Sequence, residues 1–425
     1  MSVVGRCVHP DVAAPAPQPP QWEVADIFRL YGESYRQTHP VSAAQNKVID
    51  AIMACRTAQL GGHAEQCPQC GFERYAYNSC RNRHCPKCQT GTTANWVEAR
   101  RAELLPTPYF HTVMTLPHEL NPLILGNKRL LLGLLFQTAR DTLIQFGRQN
   151  LGGQLGAIMV LHTWDQVLQA HFHLHALVPG GALADGGMRW APTHPKFLFP
   201  VKALGKVFRG KFLGALQEPT ITQALCFNEY TAHLSTQAGF SKLIAQLYDK
   251  NWVVYAKRPF KGPEQVIDYV GRYTHRVAIS NNRIVDARDG RVRLTYRNRQ
   301  KGDRLQTLEL TAHAFIQRFL LHILPSGFVR IRHCGFLANR CKAQALRRCR
   351  QALGQTPDPP VSPPKSMAQW MQQWTGIDIT RCPQCGHQPL LRTPLPVGTG
   401  AAMTRAPSTS WGMDGDDNNT RASGD

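Results

Sequence analysis

The chain has 425 residues, of which 43% are hydrophobic, and this excludes a largely disordered protein and suits two or three globular domains. Lys and Arg number 49 against 28 Asp and Glu, which gives a formal net charge of +21. An excess of this size indicates a polyanionic partner, most often nucleic acid.

The amino-terminal part begins with about twenty Pro- and Ala-rich residues, which predict a disordered leader without the apolar core of a secretory signal. No later stretch approaches the roughly 18 apolar residues of a transmembrane helix. We therefore expect a cytoplasmic, nucleoid-associated protein whose 13 cysteines bind metal rather than form disulfides. Apolar residues at helical spacing from about Trp22 to Ile52 predict helix, interrupted near Pro40.

A cysteine-rich module follows at about residues 55–90. It contains two C-x-x-C pairs with fourteen residues between them, Cys67/Cys70 and Cys85/Cys88. Four thiolates on two tight knuckles form the closed tetrahedral site that a structural Zn²⁺ requires. The spacing therefore predicts one zinc ion held by these four cysteines.

Two further groups of potential ligands have no assigned ion. The first lies in or just before the same loop: Cys55, His63, Cys80 and His84. It forms either a second metal site or a packed thiol with surface histidines. The second is a lone C-x-x-C pair, Cys382/Cys385, whose candidate partners are His387, His333, Cys334 and Cys341. A single pair is too weak a signal to assign a metal.

From Tyr109 onward, apolar runs predict the strands of a sheet, one of which reads HFHLHALV. Alternation along this strand places His171, His173 and His175 on one face and apolar side chains on the other. Two imidazoles at alternate positions can bind one ion and leave coordination positions open, as a catalytic metal requires. For this strand taken alone, the alternative to a metal site is a set of ordinary cleft histidines whose hydrogen bonds are satisfied.

A later helical segment, VIDYVGRYTHRV, carries Tyr269 and Tyr273 at i and i+4, so both hydroxyls project from one face. The neighbouring valines support a competing interpretation, in which this helix face is an ordinary apolar stripe packed in the core. Gly271 costs the helix roughly 1 kcal/mol relative to Ala, and it allows close approach to a partner. Tyrosine hydroxyls beside a metal in a basic protein indicate attack on a DNA phosphodiester, which forms a phosphotyrosine.

The carboxy-terminal part is basic, and Leu310–Pro357 contains no acidic residue. A field of one sign favours contact with phosphate. The candidate DNA-binding arginines lie here, in the zinc loop and beside the tyrosines: Arg81, Arg83, Arg272, Arg276, Arg330 and Arg332. No G-x-x-x-x-G-K-[ST] loop is present, so we expect no use of ATP.

Together these motifs resemble a known family, the rolling-circle HUH transposases of bacterial insertion sequences, in the two-tyrosine class with an N-terminal zinc-binding domain. The segments that carry the resemblance are CRTAQLGGH, SCRNRHCPKCQ, HFHLHALVPGG, YVGRYTHRVAISNNRI and FVRIRHCGFLANR. The resemblance implies that His173 and His175 are the metal pair, that Tyr269 and Tyr273 are the nucleophiles, and that the ion is Mg²⁺ or Mn²⁺. It leaves His171 as a third ligand, an outer group or neither.

The resemblance also implies an α+β fold, with an HUH endonuclease-like antiparallel sheet flanked by helices, an N-terminal zinc-binding module and a basic helical C-terminal region. We predict a leader (1–20), a helical and zinc-binding domain (21–105), a catalytic domain (106–290), a DNA-binding region (291–390) and a disordered tail (391–425).

The expected function is transposition, in which single-stranded DNA is cleaved and rejoined through 5′-phosphotyrosine intermediates. One alternative is a plasmid replication initiator or relaxase with the same chemistry. Another is a non-catalytic, zinc-dependent DNA-binding remnant. A nuclease that uses clustered carboxylates has no acidic constellation to support it.

Overall fold

The computed structural model describes residues 20–257, 267–268, 271, 278–298, 301–356 and 363–398. Its helices are α1 (Val24–Thr38), α2 (Ala43–Ala54), α3 (Thr90–Arg101), α4 (Asn121–Gly126), α5 (Lys128–Leu151), α6 (Val201–Leu216), α7 (Pro219–Thr222), α8 (Gln237–Asp249), α9 (Ala312–Leu321), α10 (Lys342–Ala352) and α11 (Met367–Thr375). Within these residues, no helix combines the length and the apolar character needed to cross a bilayer.

The strands are β1 (Gly62–Gln66), β2 (Glu73–Tyr77), β3 (Tyr109–Thr115), β4 (Gly153–Gln154), β5 (Gly156–Trp164), β6 (Ala170–Pro179), β7 (Gly181–Ala184), β8 (Arg189–Pro192), β9 (Val254–Lys257), β10 (Ile284–Asp286), β11 (Arg291–Asn298), β12 (Arg304–Thr311), β13 (Ile331–Gly335) and β14 (Leu391–Leu395).

The central sheet is antiparallel throughout and has the strand order β13-β5-β6-β3-β9. Its middle strand β6 alternates as predicted. Phe172, Leu174 and Ala176 lie in a core shared with α5 and α6, whereas Leu177 lies in a second core on the opposite face. The α+β class with an antiparallel sheet flanked by helices is therefore confirmed.

The amino-terminal helices α1 and α2 share their core with the β11–β12 hairpin and α9. Phe28 on α1 packs edge-to-face against Phe319 on α9, with ring centroids 5.3 Å apart. Packing is thus continuous between the predicted 21–105 and 291–390 regions, so the first region does not bury its apolar surface alone.

Strand β14 pairs with β1 on the side opposite β2, in an antiparallel register from Gly62↔Leu395 to Gln66↔Leu391. The prediction that the chain is disordered from residue 391 is therefore wrong at its start. A short polar strand such as LRTPL has no periodic apolar signal of its own, and it forms here because the edge of β1 supplies its hydrogen-bond partners.

Candidate active site and zinc sites

A histidine cluster lies on two neighbouring strands of the central sheet. His173 and His175 come from β6, and His162 of β5 lies directly opposite His173 in the strand register. Nε2 of His175 is 3.1 Å from Nε2 of His173 and 3.1 Å from Nδ1 of His162. The ligand nitrogens of all three rings lie within 4.8 Å of one another, so the cluster can chelate one ion.

The spacing of these nitrogens suits a bound metal. Two nitrogens at right angles around one ion, each at about 2.1 Å, lie about 3.0 Å apart. The sequence predicted His173 and His175 and left the third ligand open. The candidate named from the sequence was His171, whereas the structure brings His162 into the group.

Two further contacts orient the rings. Nδ1 of His173 lies 3.0 Å from the carbonyl oxygen of His171, and Nδ1 of His175 lies 2.7 Å from Nε2 of His111 on β3. The His111 and His175 rings stack with centroids 4.9 Å apart. In both rings Nδ1 makes this contact and Nε2 is turned toward the cluster. Such contacts to the second ring nitrogen orient metal-binding imidazoles.

The donor set bears on the choice of ion. Among the described residues, no carboxylate joins the three imidazoles. Imidazole suits Zn²⁺, Cu²⁺, Fe²⁺ and Ni²⁺, whereas Mg²⁺ and Mn²⁺ are more often bound by oxygen ligands. The three imidazoles can hold a divalent ion, and the donor set by itself does not select Mg²⁺ or Mn²⁺.

Both predicted nucleophiles, Tyr269 and Tyr273, lie outside the described residues, as do Arg272 and Arg276. Their described neighbour Ile267 is buried in the core of Ile158, Val160 and Leu177.

By strand alternation, this core occupies the sheet face that carries the histidines. Gly271 abuts α3, since a Cβ atom there would lie 2.3 Å from Cγ2 of Val97. The close approach expected at this glycine is therefore made to the chain's own helix.

The four predicted zinc ligands divide between two clusters, and the prediction that they share one ion is wrong. The clusters among the described residues are Cys55, Cys80, Cys85 and Cys88, and Cys67, Cys70, Cys382 and Cys385. The physical reason is the β1–β2 hairpin, which carries the 67–70 knuckle at its tip. Four steps of roughly 3.4 Å along its strands place the tip about 14 Å from the other end. At that end, N–H of Arg56 donates to the carbonyl of Asn78.

The first cluster brings Cys55, which directly follows α2, into contact with cysteines of the loop after β2. Sγ of Cys55 lies 3.3 Å from Sγ of Cys88 and 3.6 Å from that of Cys85. Of the residues left open at this loop, Cys55 and Cys80 join the cluster, whereas His63 and His84 do not. His84 instead accepts a hydrogen bond from N–H of Leu324, and burial lowers its pKa to about 3.

The predicted DNA-binding arginines differ in their surroundings. Arg81 is exposed. The guanidinium of Arg83 donates to the backbone carbonyls of Phe328 and Pro325, at 2.6 and 2.9 Å. The donors of Arg83 therefore hold the loop after α9, and contact of Arg83 with DNA stays a prediction. Burial lowers the pKa of the adjacent Arg330 guanidinium to about 10.

Arg332 lies over the Phe136 ring at 4.3 Å from its centroid. It lines a cavity of about 580 Å³ together with Arg129 and Arg140. Met159 lines the same cavity, and it belongs to the core on the sheet face opposite the histidines. Arg332 is therefore not a neighbour of the histidine cluster.

The fold and these sites agree with the comparisons with known proteins. Residues 156–345 match the family described as "Putative transposase", and residues 27–116 match the one described as "Transposase zinc-binding domain". No solved structure matches the chain.

Two curated relatives cover most of the sequence. "Putative transposase y4qJ" of Sinorhizobium fredii is 48% identical over 371 residues, 86% of this chain and 93% of the relative. "Transposase for insertion sequence element IS801" of Pseudomonas savastanoi pv. phaseolicola is 30% identical over 350 residues, 80% of this chain and 81% of the relative. The chain belongs to the insertion-sequence transposase family that includes these two proteins.

Proposed function

We propose that this protein is a rolling-circle transposase that cleaves and rejoins single-stranded DNA through 5′-phosphotyrosine intermediates. Tyr269 and Tyr273 are the nucleophiles, and His162, His173 and His175 hold the divalent ion. One observation carries the proposal: three imidazole nitrogens converge on the sheet face against which Ile267 packs, two residues before Tyr269. The transposase relatives support the same interpretation.

The chemistry is a transesterification. A tyrosine oxygen bonds to phosphorus while the bond from phosphorus to the 3′-oxygen breaks, and the phenol proton ends on the released 3′-hydroxyl. Bond energy is conserved in the phosphotyrosine, so attack by a 3′-hydroxyl rejoins the strand without ATP. A second tyrosine allows a second strand to be cleaved while the first is still attached.

The histidine cluster bears on the low reactivity of the tyrosine hydroxyl in this reaction. An unperturbed phenol has a pKa near 10, which makes it a weak nucleophile at neutral pH. When bound, Mn²⁺ or Mg²⁺ supplies Lewis-acid polarisation of the scissile phosphate. The part played by this chain is to hold Nε2 of His173 and His175 in place, through the His171 carbonyl and the His111 ring.

The proposed partner is single-stranded DNA at the element ends and at the target, in the cytoplasm and on the nucleoid. The net charge of +21 supports a phosphate-binding surface. Among the predicted contacts, exposed Arg81 and the tyrosine-flanking Arg272 and Arg276 are the ones we retain. Binding through these cations weakens as salt concentration rises, because phosphate contacts release counterions.

The test is the formation of a denaturant-resistant protein–DNA adduct. The full chain is mixed with single-stranded oligonucleotides from the element ends and Mn²⁺, beside Tyr269→Phe, Tyr273→Phe, the double variant and His173→Ala/His175→Ala. We expect an adduct that the double tyrosine variant and the histidine variant abolish while DNA binding persists.

Two results would contradict the proposal. An adduct that survives in the double tyrosine variant assigns the nucleophile elsewhere. DNA binding without any adduct in the wild type, with correct ends and metal, supports the non-catalytic remnant. A replication initiator or relaxase is distinguished by cleavage of a plasmid origin in preference to the element ends.

A further inference from the structure

The pentapeptide CPQCG occurs twice in the chain, at residues 67–71 and 382–386. In the first copy, N–H of Cys67 donates to the carbonyl of Phe72 at 2.8 Å, and N–H of Gly71 donates to the carbonyl of Cys67 at 3.0 Å. Gly71 has φ +73°, a left-handed conformation that favours glycine. This is a tight knuckle that turns both thiols to one side.

The second copy repeats the same geometry. N–H of Cys382 donates to the carbonyl of His387 at 2.9 Å, and N–H of Gly386 donates to the carbonyl of Cys382 at 2.9 Å. Gly386 has φ +75°. Two segments more than 300 residues apart therefore form one kind of ligand-bearing turn.

The two knuckles face each other with reciprocal contacts. Sγ of Cys67 lies 3.5 Å from Sγ of Cys385, and Sγ of Cys70 lies 3.5 Å from Sγ of Cys382. A disulfide requires about 2.05 Å between sulfurs, so these are not disulfides. Four thiolates at about 2.3 Å from a tetrahedral ion lie about 3.8 Å apart. The spacing thus matches a four-thiolate zinc site.

Other contacts seat the carboxy-terminal segment on the amino-terminal module. Strand β14 continues the β1–β2 sheet, and Arg392 donates to the buried carboxylate of Glu65 at 2.7 Å. Arg74 of β2 also contacts Glu65 and the carbonyl of Ile379. The two knuckles are therefore held by a shared sheet and a shared ion-pair group as well as by their own sulfurs.

We propose that Cys67, Cys70, Cys382 and Cys385 bind one structural zinc ion, which fastens residues 363–398 to the amino-terminal module. Each pair supplies two of the four thiolates of a closed site, so each needs the other. Cys382 and Cys385 lie outside both matched family segments, 27–116 and 156–345. The amino-terminal module is thus completed by the opposite end of the chain, independently of the cluster at Cys55.

The first test is zinc analysis of the purified full chain. Each of Cys67→Ser/Cys70→Ser and Cys382→Ser/Cys385→Ser should lose one zinc per chain relative to wild type, and combining them should lose no more. The matched control is Cys226→Ser/Cys341→Ser, since neither cysteine belongs to a cluster of the described residues. Wild-type zinc content in the Cys382→Ser/Cys385→Ser variant, or loss of two ions on combination, overturns the proposal.

A second test needs no substitution and so does not depend on the folding of a variant. Cys70, Cys385 and Cys226 are all exposed. Under alkylation of the native chain, read by peptide mass spectrometry, Cys226 should react at once. Cys70 and Cys385 should react only after a chelator is added, and at the same rate. Immediate reaction of Cys385, at the rate of Cys226, contradicts a shared ion.

Discussion

Replacement of His111 by Phe should weaken metal binding at the histidine cluster without removing a ligand. His111 contacts His175 through a 2.7 Å nitrogen–nitrogen hydrogen bond and a ring stack. Phe keeps a stacking ring and removes the hydrogen bond that fixes the orientation of His175. Loss of such an outer partner typically costs 10–100-fold in metal affinity, or about 1.4–2.8 kcal/mol.

The assay is a Mn²⁺ titration of the His111→Phe variant, read by the electron paramagnetic resonance of free Mn²⁺ and by adduct yield. We expect a 10–100-fold higher Kd, with adduct formation recovered at saturating Mn²⁺. His111→Gln should restore part of the affinity, because its amide oxygen can still accept a hydrogen bond from Nδ1–H of His175. Thermal unfolding of each variant reports any packing cost at this buried position.

A purely structural role gives a different pattern. An unchanged Kd for Mn²⁺ in His111→Phe would show that His111 does not orient His175 for metal binding. So would adduct formation that stays low at saturating Mn²⁺ in a variant with the wild-type Tm.

His162→Ala should lower Mn²⁺ affinity and adduct yield more than His171→Ala, because only His162 belongs to the cluster; equal effects in parallel titrations would argue against His162 as third ligand. Gly271→Ala should lower adduct yield, since the added Cβ meets Val97, and Val97→Ala in the same chain should restore it; failure of that rescue contradicts the packing argument. Burial lowers the pKa of His322 to about 4, from about 6.5 in the unfolded chain. The contribution of this buried neutral imidazole to the free energy of unfolding is therefore present above pH 6.5 and is lost as pH falls toward 4. The unfolding free energy should therefore fall by about 3 kcal/mol more in wild type than in His322→Leu over that range, and equal slopes in denaturant titrations would contradict this.

Strand alternation was the most reliable guide in the sequence. Phe172 and Leu174 lie in one core and the histidines on the other face, because a strand has a period of two and both faces of β6 are buried. Membership of the transposase family is likewise confirmed.

Contacts between segments that are distant in the sequence could not be predicted from strand alternation. His162 meets His173 through the register of β5 and β6, which includes an irregularity between His162 and Trp164. A register of this kind is set by turn geometry, not by composition. His162 could therefore not be assigned as the third ligand from the sequence.

The prediction that Cys67, Cys70, Cys85 and Cys88 share one zinc ion was wrong because of the chain topology. Spacing along the chain favours pairing Cys67/Cys70 with Cys85/Cys88, yet the hairpin between the pairs holds them apart. The repeated CPQCG pentapeptide at 67–71 and 382–386 was the one local signal that could have joined the two ends of the chain.

We propose that Tyr269 and Tyr273 attack DNA beside the histidine cluster. The most direct measurement is mass spectrometry of the proteolysed adduct, which identifies the residue that carries the nucleotide. We expect an oligonucleotide joined through its 5′-phosphate to Tyr269, to Tyr273 or to each in a fraction of molecules. A nucleotide attached to any other residue, or through a 3′-phosphate, would contradict it.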